Sequence, residues 1–135
     1  MRILALDWGE VRIGAAVSDE EGRIAFPLKK IIENKGAISE IKKLVEKEKI
    51  EKIVLGKPLN LAGVEAESAA KVDKFFLQLQ KNTKLPVEYL DERFTTMEAG
   101  KLLDQQGLSE KKQREIKDNI AAQIILQAYL DYKAS

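Results

Sequence analysis

The 135-residue chain contains no cysteine and no histidine. Their absence excludes disulfide bonds, zinc sites built from thiolate and imidazole ligands, thiol nucleophiles and imidazole acid–base catalysis. No apolar run approaches the roughly 20 residues of a membrane helix, and the amino terminus enters a strand without the pattern of a signal peptide. Any chemistry therefore falls to carboxylates, lysines, arginines or hydroxyls, and we expect a cytoplasmic protein that does not associate with membranes.

The chain also lacks an excess of charge of either sign. Its 23 Lys and Arg residues against 22 Asp and Glu residues leave a formal net charge of +1, so no overall basic field indicates nucleic-acid binding. Such binding would need a local basic patch. The length fits one domain spanning residues 1–135 and is too short for a two-domain enzyme with an interdomain cleft.

The spacing of apolar residues predicts a mixed sheet with helices on its faces, an α/β fold that opens with three antiparallel strands. Pro27 confines the third strand to a sheet edge or a strand end. The polar stretch 109–115 is predicted to be a mobile loop. The predicted elements are strands over 2–9, 12–19 and 23–28, a helix over 37–49, a strand over 52–56, a helix over 65–81, a strand over 85–90, and helices over 95–103 and from 116 past 129.

Asp7 closes the first apolar run, immediately before Trp8 and Gly9. A carboxylate where a buried strand emerges, beside a backbone that glycine lets a ligand approach closely, favours a metal ion or a phosphate ligand. The alternative is an Asx-turn, in which the Asp7 side chain only caps the turn that follows.

Two further acidic positions are predicted to lie near Asp7. Asp91 and Glu92 follow the fifth predicted strand, and ligands of such sheets gather at the carboxyl ends of strands. The helical phase of Asp118 matches that of apolar residues on the last helix, so its carboxylate is predicted to project from the buried side. Three carboxylates could hold one or two Mg²⁺ or Mn²⁺ ions for phosphodiester hydrolysis. Alternatively, Asp91 or Glu92 pairs with Arg93 or caps the next helix, and Asp118 complements the helix dipole.

Four segments resemble the YqgF/RuvX family, bacterial Holliday-junction-resolvase-like proteins that are also described as pre-16S rRNA nucleases. They are LALDWGEVRIGAAVSD, IVLGKPLNLAG, LDERFTTMEA and KDNIAAQIILQAYL. The segments occur in the order and approximate spacing of the family, and the resemblance extends over essentially the whole chain. The resemblance implies an RNase H-like fold, with a mixed five-stranded sheet whose first three strands are antiparallel, and a nuclease site that holds two metal ions.

The resemblance also implies which acids form that site. Asp7, Glu92 and Asp118 would be both the catalytic residues and the ligands of two Mg²⁺ or Mn²⁺ ions, with Glu92 preferred to Asp91. Related resolvases place an acid on the fourth strand, whereas residues 52–56 of this chain include none. The acid after the fifth strand therefore has to substitute for it.

Several basic, amide and hydroxyl side chains suit the binding of a polyanion. They are predicted to contact phosphates without reading bases. Arg93, Thr95 and Thr96 lie at a predicted helix start, whose backbone amides favour phosphate. Lys112 and Arg114 belong to a local basic patch whose alternative interpretation is a solvated surface. The predicted nucleic-acid-binding residues are Arg12, Lys57, Asn60, Arg93, Thr95, Thr96, Lys112 and Arg114.

With the resemblance added, the leading hypothesis is a metal-dependent nuclease that acts on structured nucleic acid and processes the 5′ end of precursor 16S rRNA in ribosome biogenesis. Its expected partners are precursor rRNA or branched DNA, and ribosomal particles; the chain could be a monomer or a homodimer. The alternatives are a Holliday junction resolvase and a non-catalytic ribosome- or RNA-binding module. A nucleotide-binding module like that of actin or sugar kinases would need two domains to enclose ATP.

Overall fold

The computed structural model describes residues 1–57, 66–91 and 109–134. Within these ranges the chain forms six strands and four helices. The helix predicted over 95–103 lies outside the described residues. The elements are β1 (Ile3–Asp7), β2 (Arg12–Ser18), β3 (Ala25–Pro27), β4 (Ile32–Glu33), α1 (Ala37–Glu48), β5 (Lys52–Lys57), α2 (Ala66–Thr83), β6 (Val87–Asp91), α3 (Glu110–Glu115) and α4 (Lys117–Ala134).

The strands form one mixed sheet in the order β3-β2-β1-β5-β6, and β4 pairs with β2 away from this path. β1, β2 and β3 are antiparallel to one another, which confirms the predicted meander and places β3 at an edge. The predicted count of five strands is one too few. The additional strand β4 has two residues and pairs only with the first two residues of β2, so it is too short to leave a periodic pattern in the sequence.

Three strands of this sheet run in the same direction and end together. β5 is parallel to β1, and β6 is parallel to β5. Leu6 pairs with Leu55, and Lys57 pairs with Asp91, so the carboxyl ends of the three strands lie side by side. We call this border of the sheet, formed by the ends of β1, β5 and β6, the carboxyl edge.

The alternation of side chains along the strands separates two apolar cores, one on each face of the sheet. Leu4 and Leu6 of β1 face α1 and α2, whereas Ile3 and Ala5 face α4. Most α4 side chains that contact the sheet are buried, which confirms that the last helix packs on it. No helix in the described ranges is long and apolar enough to cross a membrane.

The prediction of a mobile loop over 109–115 is wrong, because residues 110–115 form α3. Ser109 caps this helix, and its Oγ accepts a hydrogen bond of 3.1 Å from the backbone N–H of Lys112. The segment is polar throughout, so it has no apolar periodicity to reveal a helix. Ile116, which is buried, joins α3 to α4.

Candidate active site at the carboxyl edge

Asp7 is the last residue of β1 and lies at the carboxyl edge. It pairs with Gly14 in the antiparallel ladder between β1 and β2. Because side chains alternate along a strand, Asp7 belongs to the same sheet face as Ile3 and Ala5, which is the face covered by α4. The residue is half-buried. Its carboxylate therefore lies on the side of the sheet from which the last helix approaches.

The first turn of α4 lies directly on β2 at Gly14. A Cβ atom on Gly14 would be 1.9 Å from the carbonyl oxygen of Asp118 and 2.6 Å from its carbonyl carbon. Such distances are far shorter than any real contact of a Cβ atom. The helix can approach this closely only because residue 14 has no side chain. Since Gly14 is the ladder partner of Asp7, the contact brings Asp118 next to Asp7 at the carboxyl edge.

Asn119 fixes the start of α4 to the sheet. Its side chain is wholly buried, and Oδ1 accepts a hydrogen bond of 2.9 Å from the backbone N–H of Ala15. Nδ2 donates to the carbonyl oxygens of Leu28 and Lys30 over 2.8 and 2.9 Å. Asn119 was not predicted from the sequence, although an asparagine among the apolar positions of a buried helix indicates an internal amide whose hydrogen bonds are satisfied. Asn119 thus fastens the first turn of α4, which carries Asp118, to β2 and to residues 28–30.

Asn119→Ala is expected to lower the free energy of unfolding by on the order of 2–4 kcal/mol, because it leaves one backbone N–H and two carbonyl groups without their partner. Urea unfolding followed by circular dichroism measures this change. Asn82→Ala is the matched control, since Asn82 is exposed and, among the described residues, its amide donates only to the Gln78 carbonyl oxygen of its own helix. Equal stability losses in the two variants would contradict a fastening role for Asn119.

The structure places the backbones of two of the three predicted acids, Asp7 and Asp118, next to Gly14 at the carboxyl edge. Asp118 is half-buried in the first turn of α4, so it does not point simply into the core. Asp91 ends β6 at the same edge, and Glu92 lies outside the described residues. Among the residues that the structure describes, no cluster of three acids could hold a metal ion. Asp7 and Asp118 are therefore the predicted site acids that the structure describes, and they remain candidates.

A family model described as "RuvX: Holliday junction resolvase" matches residues 1–132. The chain belongs to the RuvX family. Two curated relatives carry the name "Putative pre-16S rRNA nuclease". The relative from Dictyoglomus thermophilum is 43% identical over 97% of this chain and 96% of its own length. The relative from Koribacter versatilis is 42% identical over 96% of this chain and 86% of its own length.

Solved structures similar to this RuvX-family chain include two Holliday junction resolvases. RuvC of Thermus thermophilus in complex with a Holliday junction has a TM-score of 0.62 and 15% identity, covering 99% of this chain and 95% of that one. The fowlpox virus resolvase with junction DNA has a TM-score of 0.57 and 14% identity, covering 100% of both chains. At such identities the likeness establishes the fold alone, and it confirms the predicted RNase H-like class.

The predicted phosphate-binding residues of the RuvX-family chain are spread over three described elements. Arg12 begins β2 at the carboxyl edge, where its side chain is exposed and its backbone pairs with Glu33 of β4. Lys57 is the last residue of β5. Lys112 and Arg114 lie on α3, where Arg114 is exposed. The remaining predictions lie outside the described residues: Asn60, Arg93, Thr95 and Thr96.

A second polar cluster lies at the opposite end of the sheet, where β5 and β6 begin. The Lys52 ammonium is 2.6 Å from a Glu88 carboxylate oxygen and 2.6 Å from the Tyr129 hydroxyl oxygen. The hydrogen bond from Lys52 lowers the pKa of Glu88. Burial opposes the charge of Lys52, but hydrogen bonds to Glu88 and Tyr129 outweigh it and raise the pKa of the lysine. Glu88 is paired with Lys52 and Tyr129, so its role in this cluster is structural.

Proposed function

We propose that this RuvX-family protein is a metal-dependent nuclease that hydrolyses phosphodiester bonds of structured nucleic acid in the cytoplasm, with the 5′ end of precursor 16S rRNA as its substrate. The observation that carries the proposal is the juxtaposition of Asp7 and Asp118 through the contact between Gly14 and α4. The pair lies where the parallel strands end, which is the common place for ligands in sheets of this kind.

The chemistry of the donor set fits a hard divalent ion. Carboxylate oxygens are preferred ligands of Mg²⁺, and Asp7 and Asp118 would supply the first two. Glu92 is the proposed third ligand, with Asp91 as the alternative. Glu88 and Leu90 of β6 lie on the α4 face of the sheet, the face to which Asp7 also belongs. When bound, one or two ions supply the activation of water and the stabilisation of the leaving oxygen.

The other residues of the site would bind and orient the substrate. Arg12 is exposed at the carboxyl edge, where its guanidinium can pair with phosphate oxygens. Such contacts fix the register of a strand without reading its sequence. Gly14 and Asn119 hold the two described acids in place. The same binding role is proposed on grounds of sequence for Lys57, Asn60, Arg93, Thr95 and Thr96.

RNA is preferred as substrate because the relatives with about 40% identity are named for precursor 16S rRNA. Branched DNA is the second candidate, and the description of the matching family model supports it. Resolution of a four-way junction requires two cuts related by symmetry, so that function would need a homodimer with two sites.

The test compares a labelled RNA spanning the 5′ end of 16S rRNA with a labelled four-way DNA junction. Each is incubated with the protein and Mg²⁺, Mn²⁺ or EDTA, with mature 16S rRNA and duplex DNA as controls. We expect cleavage of the precursor RNA with Mg²⁺ or Mn²⁺ and none with EDTA. Cleavage of the junction alone would transfer the proposal to the resolvase function. Binding without cleavage of either substrate would contradict a nuclease and support a non-catalytic RNA-binding module.

A further inference from the structure

The segment of residues 28–30, between β3 and β4, is bonded to both helices that adjoin Asp118. Asn119 of α4 donates to the carbonyl oxygens of Leu28 and Lys30. Lys112 of α3 donates through Nζ to the carbonyl oxygen of Lys29 over 3.3 Å. The backbone N–H of Leu28 donates to the carbonyl oxygen of Ala15 in β2 over 3.0 Å. Four hydrogen bonds therefore hold this backbone beside the first turn of α4, where Asp118 lies.

The fixed backbone presents two exposed cations. Lys29 and Lys30 are exposed, and neither side chain makes an ion pair or hydrogen bond with any residue in the described ranges. The segments 28–33 and 109–118 together contain six basic and four acidic side chains. The whole chain has a net charge of only +1. The basic excess is thus local and adjoins the acid pair.

We propose that Lys29 and Lys30, extended by the basic side chains of α3, form a phosphate-binding surface that holds the sugar–phosphate backbone of the substrate beside Asp7 and Asp118. The inference rests on the proposed nuclease function and names a part of its substrate site. Lysine is a flexible point charge, so these contacts supply affinity without reading bases. Because the loop backbone is already fixed, less conformational entropy is lost when the substrate binds.

The composition of this surface favours nucleic acid over a lipid surface. Large apolar side chains that insert among lipids accompany the basic residues of membrane-binding surfaces. Among the described residues, the exposed large apolar side chains are those of Met1, Val11, Ile24, Phe26, Leu77 and Tyr132, and all lie outside the segments 28–33 and 109–118. The position of the loop also favours nucleic acid, because Asn119, the neighbour of Asp118, bonds directly to the carbonyl oxygens of Leu28 and Lys30.

The test is the double variant K29Q/K30Q, which removes two charges from exposed side chains. Binding of fluorescently labelled precursor RNA is measured by anisotropy in EDTA, at several salt concentrations, so that no cleavage occurs. We expect Kd to rise roughly tenfold or more at 0.1 M salt, and the slope of log affinity against log salt to fall by about 1.4. In cleavage assays, KM should rise more than kcat falls.

The matched control is K42Q/K43Q, which removes the same charge from exposed positions of α1 on the other face of the sheet. It should leave Kd and the salt slope unchanged. Equal weakening in both double variants, an unchanged Kd in K29Q/K30Q, or no RNA binding by the wild type would each overturn the inference. So would binding of phosphatidylserine vesicles in preference to RNA.

The binding measurement also separates this inference from the proposed function. If the wild type binds RNA through Lys29 and Lys30 but cuts no substrate with any metal, the nuclease proposal fails and the phosphate-binding surface stands. If the wild type cuts precursor RNA and K29Q/K30Q binds normally, only the surface is wrong. Thermal unfolding of each variant verifies that the exposed substitutions leave the fold intact.

Discussion

Asp7→Asn is expected to slow cleavage of the precursor RNA on the order of 10²–10³-fold or more, the usual loss when a preorganised charge at the reacting centre is removed. The substitution takes away a negative charge at nearly constant shape, from the end of a strand whose ladder bonds are made by the backbone. The thermal unfolding midpoint and the RNA affinity in EDTA should therefore stay close to those of the wild type. Asp118→Asn should lose activity in the same way.

Glu88→Gln is the matched control for this pair. Glu88 lies on the same face of the sheet, at its opposite end, and is bonded to Lys52 and Tyr129. The substitution removes the same charge in the same isosteric manner, so cleavage should persist. Full activity in Asp7→Asn would show that the metal-site proposal is wrong. A loss in Glu88→Gln as large as in Asp7→Asn would assign the effect to overall charge.

The elements with clear apolar periodicity could be predicted from the sequence to within a few residues. The helix predicted over 37–49 is observed as Ala37–Glu48, and the strand predicted over 52–56 as Lys52–Lys57. These segments carry their own signal, because α1 turns one apolar face to a core and β5 is a continuous apolar run buried on both faces of the sheet. β4 and α3 were missed because they bury too little for a pattern to form, and they depend on bonds to other elements or on a local cap.

The sequence singles out Asp7 and Asp118 as candidates, but it does not predict that their backbones lie next to each other. Asp7 stands out at a strand end, and Asp118 stands out by its helical phase. Their meeting depends on the absence of a side chain at Gly14 and on the amide of Asn119, which is 104 positions from its partner Ala15. Neither contact can be read from the local sequence, since a strand glycine does not show what approaches it and a buried asparagine does not show which distant groups its amide binds. The site is thus a property of the packing between β2 and α4.

Gly14→Ala tests that packing directly and is expected to lower both stability and activity. The new methyl group would stand 1.9 Å from the carbonyl oxygen of Asp118. The backbone fixes the position of the Cβ atom, and the oxygen that it meets belongs to the backbone of Asp118. No change of rotamer therefore relieves the overlap, and α4 must move away from β2. Overpacking of this kind costs about 3 kcal/mol, measured by urea unfolding. A shift of Asp118 by about 1 Å should also lower kcat on the order of 10²-fold in the molecules that remain folded.

Gly36→Ala separates the loss of stability from the loss of activity. Gly36 precedes α1 and its φ is +84°; apart from Gly36 and its two chain neighbours, no atom of the described residues lies within 4 Å of a Cβ placed there. The left-handed backbone should make this variant less stable by about 1–2 kcal/mol, yet its cleavage rate should equal that of the wild type, because α1 packs on the face away from the acids. If Gly14→Ala cleaved normally at comparable stability, the close approach of α4 to β2 would not be what positions Asp118, and the proposed pairing of the two acids would fail.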